Sequence, residues 1–190
     1  MIKKIYLDMD GVLTDFEGRF AKKFGYPAMA VRDRKNFSKE WPEFIADREF
    51  ETLDWNPGGE ELLKFIRSNP EIPVEMLTSS GGMKHHNEVA RQKKIWLKKM
   101  GIAYKPNVVP GRKFKAEYAG EGIVLIDDTE EIIHSFNNAG GIGILHKDVK
   151  ETLKTLESLL NKWYIMFMWI SRLYTVNTPF IRKEIYEFIR

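Results

Sequence analysis

The chain has 190 residues, 43% of them hydrophobic and none cysteine, with 30 Lys and Arg against 27 Asp and Glu for a formal net charge of +3. That length predicts about one domain with room for a sizeable core, and the lack of cysteine excludes a disulfide scaffold, a thiolate metal site and a cysteine nucleophile. The small basic surplus is spread along the chain, so no stable nucleic-acid partner is expected.

The first short apolar run, Lys3 to Leu7, ends at Asp8. It is too short for the core of a secretory signal, which predicts a cytoplasmic location. Residues 16 to 56 hold no convincing strand. Phe16, Phe20 and Phe24, then Phe37, Trp41, Phe44 and Phe50, recur at helical spacing and predict a small helical insert. Asn56 before Pro57 reads as the start of a helix with Leu62, Leu63 and Ile66 on one face. The run Pro73 to Leu77 ends at Thr78. Asn87 to Met100 then predicts a helix with Val89, Trp96 and Met100 along one stripe, stopped by Gly101.

A weaker strand pattern at Asn107 to Val109 is followed by a helical one from Lys113 to Ala119, and the run Gly122 to Ile126 ends at Asp127. Thr129 to Asn138 carries Ile132, Ile133 and Phe136 at helical spacing, and Gly141 to Leu145 is a further strand candidate. Asp148, with Glu151 three residues on, opens a last helix bearing Leu153, Leu156, Leu159 and Leu160. Residues 161 to 190 are apolar and aromatic and predict an extra helical segment making a mainly apolar contact, as an outer helix, a homodimer interface or a peripheral membrane contact. Their longest apolar run, Trp163 to Ile170, is far below the roughly 20 residues that cross a bilayer, so no transmembrane segment is expected.

Short apolar runs alternating with helical patterns predict an α/β fold with a parallel sheet covered on both faces. Ligands of such sheets bind at the carboxyl ends of the strands. Those ends carry Asp8 and Asp10, Thr78 and Ser79, and Asp127 and Asp128. In extended chain, residues two apart point the same way, so Asp8 and Asp10 can face one pocket, and Gly11 permits a sharp turn after them. Carboxylates crowded in this way call for a cation between them, and an all-oxygen set suits Mg²⁺ together with a substrate phosphate. Thr78 and Ser79 offer hydroxyl and backbone N–H groups to an anion.

The stretch Asp8-Met9-Asp10-Gly11-Val12-Leu13-Thr14-Asp15-Phe16 resembles the first motif of the haloacid-dehalogenase superfamily of phosphatases. Leu77-Thr78-Ser79-Ser80 resembles the second, a lysine before the last strand the third, and Ile126-Asp127-Asp128 the fourth. Asp8 to Phe20, Arg32 to Phe37, Trp96 to Lys99 and Leu125 to Asp128 resemble, more closely, the 5′(3′)-deoxyribonucleotidases, and the likeness covers roughly residues 2 to 150. It implies a three-layer Rossmann-like core (1–15 and 57–160), a small helical cap (16–56) inserted after the first strand, and an extension (161–190) outside the family pattern.

The resemblance further implies Mg²⁺-dependent hydrolysis of (deoxy)nucleoside monophosphates through an aspartyl-phosphate. Asp8 is the expected nucleophile and Asp10 the general acid and base. The Asp8 carboxylate, the Asp10 backbone carbonyl and Asp128 are expected to hold the metal, with Asp127 orienting a water ligand or a lysine. Thr78, Ser79 and Lys115 are expected on the phosphate, and Phe16, Phe37 and Phe50 on the base. Lys113 is the alternative to Lys115, which is preferred because it opens a Lys-Ala-Glu-Tyr-Ala stretch; the remaining lysines are expected on solvated helix faces. Other readings are a phosphatase of another small ester or of a nucleic-acid 3′ phosphate, and a non-catalytic nucleotide-binding module. A phospho-receiver domain is disfavoured, because here the Asp pair comes late and the lysine precedes it.

Overall fold

The computed structural model describes residues 2–30 and 37–161, Phe37 and Ser38 by their backbone alone. Among these, five strands form one sheet: β1 (Lys4–Leu7), β2 (Val74–Ser79), β3 (Lys105–Val109), β4 (Ile123–Asp127) and β5 (Ile142–Leu145). Their order is β3-β2-β1-β4-β5, and every pairing is parallel. This is the α/β arrangement expected from the sequence. The central strands show why: Ile5, Tyr6 and Leu7 of β1, and Val124, Leu125 and Ile126 of β4, are all buried, as strands covered on both faces must be.

The order of strands changes direction between β1 and β4, which opens a crevice beyond their carboxyl ends. Leu7 pairs with Met76 on one side and Ile126 on the other. One residue further on, Asp8 follows the end of β1 and Asp127 ends β4 at the same level, so the register itself brings these two acidic strand ends together.

Helices α1 (Phe16–Phe24), α2 (Phe37–Ala46), α3 (Gly59–Arg67), α4 (His86–Lys99) and α5 (Glu130–Asn138) connect the strands, with 3₁₀ turns at Ala28–Ala30, Glu49–Glu51 and Arg112–Tyr118. Asp15 accepts from the Gly18 N–H at 2.9 Å and starts α1. Two details depart from the sequence expectation. Asn56 does not cap a helix at Pro57; α3 begins at Gly59, behind Gly58 in the left-handed region, and the Asn56 amide donates to the Gly11 carbonyl at 2.8 Å. The turn after β1 claims the side chain that would otherwise have been a cap. The segment expected as helix from Lys113 is a 3₁₀ turn, closed by the Phe114 N–H on the Gly111 carbonyl and the Ala119 N–H on the Ala116 carbonyl.

The insert has its own aromatic core. The Phe44 ring lies 5.4 Å from Phe16, 5.6 Å from Phe20 and 5.1 Å from Phe50. It is strapped to α4, where Trp96 Nε1 donates to the Leu53 carbonyl at 2.8 Å and Gln92 Nε2 to the Ile45 carbonyl at 2.7 Å. Ile2–Leu153 thus form one compact unit that includes the described part of the insert. Residues 149–153 open a helix, and 154–161, which belong to a second unit, are helical as well. The expected extension lies outside the described residues from 162 onwards. Among the described residues no helix is long and apolar enough to cross a membrane.

Candidate active site

A cavity of about 350 Å³ opens at the carboxyl ends of the strands, and Asp8, Asp10, Thr78, Ser79, Lys115 and Asp128 are on its wall. Asp8, the first residue beyond β1, is buried. Its Oδ1 accepts the Met9 N–H at 2.7 Å, and its Oδ2 lies 2.7 Å from the Lys115 ammonium. Burial alone would raise the Asp8 pKa; the Lys115 and Lys93 charges and the hydrogen bonds outweigh it and hold the carboxyl below its ordinary range. Asp8 therefore presents an ionised oxygen to the cavity.

Lys115 also donates to Asp127 Oδ2 at 2.6 Å. Burial disfavours its charge, but the Asp8 and Asp127 carboxylates raise its pKa and keep it protonated. Burial and the Asp8 charge push the Asp127 carboxyl up. Asp128, a residue that keeps contact with solvent, has its carboxyl pushed up to about 6, first by partial desolvation of the group and then by the charges of Asp8 and Asp127.

Carboxylate oxygens of Asp8, Asp127 and Asp128 lie within 4.8 Å of one another. Three hard oxygen donors at that spacing, two of them raised first by burial and then by neighbouring charge, are the donor chemistry of a Mg²⁺ site. The residues fit the ion that the sequence implies. The Asp10 carboxylate is not part of this trio. Its Oδ1 accepts from the Thr14 hydroxyl at 3.0 Å and its Oδ2 from Lys93 Nζ at 2.7 Å.

Lys93 is the residue that sequence reasoning missed. Expected on a solvated face, it is 1% exposed and reaches from α4 to Asp10, to Thr78 Oγ1 at 2.7 Å and to the Ser79 carbonyl at 2.9 Å. The signal was in the pattern: Lys93 falls four residues after Val89 and three before Trp96, on the buried stripe of α4. An ammonium only donates. Thr78 Oγ1 accepts from Lys93 and so keeps its own proton for a group in the cavity.

The two lysine candidates separate cleanly. Lys115 is buried between Asp8 and Asp127, while Lys113 is exposed, with its ammonium 5.4 Å from the Phe114 ring centroid. Of the aromatic candidates, Phe16 is on the cavity wall, joined by Trp41, which had been read only as part of the insert's helical pattern. The Trp41 ring lies 6.0 Å from Phe16 and packs against Gly81, where a Cβ would stand 2.6 Å from its Cζ2. Phe50 is fully buried and not on that wall; its ring is parallel to Phe16 at 5.7 Å and lies 5.3 Å from the Lys93 ammonium. The Phe37 side chain, with Arg32 and Arg34, lies outside the described residues.

No family model matches the chain, and no curated protein matches it. Among solved structures it is similar to a hydrolase from Streptococcus pneumoniae TIGR4, at 19% identity and a TM-score of 0.48, covering 83% of this chain and all of that one. It is similar to a HAD-superfamily hydrolase from Ehrlichia chaffeensis, at 14% identity and a TM-score of 0.49, over 83% of this chain and 97% of the other. A protein from Corynebacterium glutamicum shares 13% identity at a TM-score of 0.45, over 85% and 96% of the two chains.

Proposed function

We propose that the chain is a Mg²⁺-dependent phosphatase of the haloacid-dehalogenase type, hydrolysing (deoxy)nucleoside monophosphates. One observation carries the reading: a buried lysine bridges Asp8 to Asp127, beside a third carboxylate, at the ends of adjacent parallel strands. Asp8 attacks phosphorus while the ester oxygen leaves, and the aspartyl-phosphate so formed is then cleaved by water. Asp10 gives its proton to the leaving oxygen and takes one from that water. The Thr78 hydroxyl, Ser79 and the Lys115 ammonium hold the phosphoryl oxygens as charge develops on them. Asp8, the Asp10 carbonyl and Asp128 would hold Mg²⁺, with Asp127 fixing Lys115; when bound, the ion offsets the repulsion between the Asp8 carboxylate and the phosphate.

The leaving group lies against Phe16 and Trp41, two faces suited to a flat base. The described part of residues 16–56 acts as the cap that shields the reaction from water, over the core of 1–15 and 57–160. The test is phosphate release from a panel of nucleoside monophosphates, with and without Mg²⁺, by the wild type and Asp8→Asn. We expect metal-dependent release that falls at least about 10³-fold in the variant. Turnover without metal, or an Asp8→Asn protein as active as the wild type, overturns the reading.

A further inference from the structure

We infer that Arg112 is a second cationic ligand of the substrate's phosphate, an inference that rests on the phosphatase reading above. Arg112 is on the cavity wall with Asp8, Thr78, Lys115 and Asp128, half-buried. It opens the 3₁₀ turn Arg112–Tyr118. Such a turn has three residues per turn, so residues three apart eclipse. Arg112 and Lys115 therefore share the face that looks into the cavity, whereas Lys113 points away.

The guanidinium is also in an unusual state for this chain. The other described arginines are committed: Arg19 to Glu49 and Asp54, Arg48 to Glu51, Arg67 to the Gly101 carbonyl, and Arg91 to Glu88 and Glu51. Arg112 makes no hydrogen bond or ion pair with any described residue. It carries up to five N–H donors and a charge it cannot lose, on the edge of a cavity where it faces the field of Asp128.

Charge balance says what it is for. Four carboxylates (Asp8, Asp10, Asp127 and Asp128) surround the site against two ammoniums, Lys93 and Lys115. A divalent cation cancels that excess, and a phosphate dianion then adds two negative charges. Arg112 is the remaining described cation on the wall, and its planar fork matches two phosphate oxygens at once. Lys115 is tied to Asp8 and Asp127 and anchors the phosphate from below; Arg112 closes on it from the solvent side.

The test pairs binding with kinetics. Inorganic phosphate is titrated calorimetrically into the Mg²⁺-loaded wild type, Arg112→Gln, Arg112→Lys and Asp8→Asn, and steady-state hydrolysis is measured for 4-nitrophenyl phosphate and a nucleoside monophosphate. Loss of one charge-assisted bidentate contact predicts phosphate binding weaker by about tenfold or more in Arg112→Gln. KM should rise by a similar factor for both substrates, more than kcat falls, with partial recovery in Arg112→Lys, which restores the charge but not the fork. Unchanged phosphate affinity and KM in an active Arg112→Gln protein overturn the inference and leave the phosphatase reading standing. A wild type that neither binds phosphate nor hydrolyses either ester overturns both.

Discussion

Lys93 is fully buried, yet it is tied to three oxygens from three residues. A buried ammonium persists only when its protons are met, and here they are met by the proposed acid and by the hydroxyl aimed at the phosphate. Lys93 thus fixes Asp10 and Thr78 relative to each other. Replacing it with Met keeps the aliphatic stem beside Phe50 and removes that tether. We expect kcat to fall by about 10²-fold on a nucleoside monophosphate, whose alkoxide needs a proton to leave, and by much less on 4-nitrophenyl phosphate, whose leaving group does not. Equal losses on both esters would mean that Lys93 does not serve the proton donor. Lys93 was hidden in the sequence because a lysine is nearly always solvated; its place on the Val89–Trp96 stripe was the available clue.

At the scale of elements, the turn after β1 decides whether the carboxylates converge. The Val12, Leu13 and Thr14 N–H groups all point to the Met9 carbonyl, and Gly11 sits at φ +78°. A Cβ there would lie 2.6 Å from the carboxyl carbon of Asp128. Gly11→Ala should therefore do two things: cost about 1–2 kcal/mol of stability through the left-handed backbone, and weaken Mg²⁺ binding by displacing Asp128. Gly25→Ala is the control, since Gly25 shares the positive φ, at +84°, but has nothing within 4 Å of its Cβ position. Denaturant unfolding and calorimetric Mg²⁺ titration separate the two effects; comparable Mg²⁺ affinities in both variants would contradict the account. The Asp-x-Asp-Gly spacing was legible in the sequence, but the pressure of Asp128 on that glycine was not, because the two residues are over a hundred positions apart.

For the whole molecule, the acidic cluster makes the metal-free fold pH-dependent in a definite sense. An ordinary Asp titrates near 3.8, and Asp128 in the fold near 6. Between those values the folded chain binds more protons at this site than the unfolded one, so this contribution to stability falls as pH rises from about 4 to 6. Above pH 6 Asp128 is ionised and ready for a cation. Thermal unfolding should show Mg²⁺ raising the midpoint at pH 7.5, through a stabilisation of about 2.7 kcal/mol at a hundred times its dissociation constant, and losing that effect below about pH 5. Asp128→Asn should be more stable without metal and respond little to it. A midpoint unmoved by Mg²⁺ at pH 7.5 would speak against the metal site. The strand pattern, the parallel sheet and the acidic strand ends were determined by the sequence alone, because burial on two faces and the position of ligands beyond parallel strands leave local marks in the order of apolar and polar residues. Tertiary structure decided which lysine enters the site, that Lys93 joins it, that Trp41 rather than Phe50 faces the cavity, and that Asn56 braces a turn instead of starting a helix. Each of these depends on which face of a turn or helix meets a partner distant in the chain; local spacing can mark a buried face, as it does for Lys93, but carries no record of that partner.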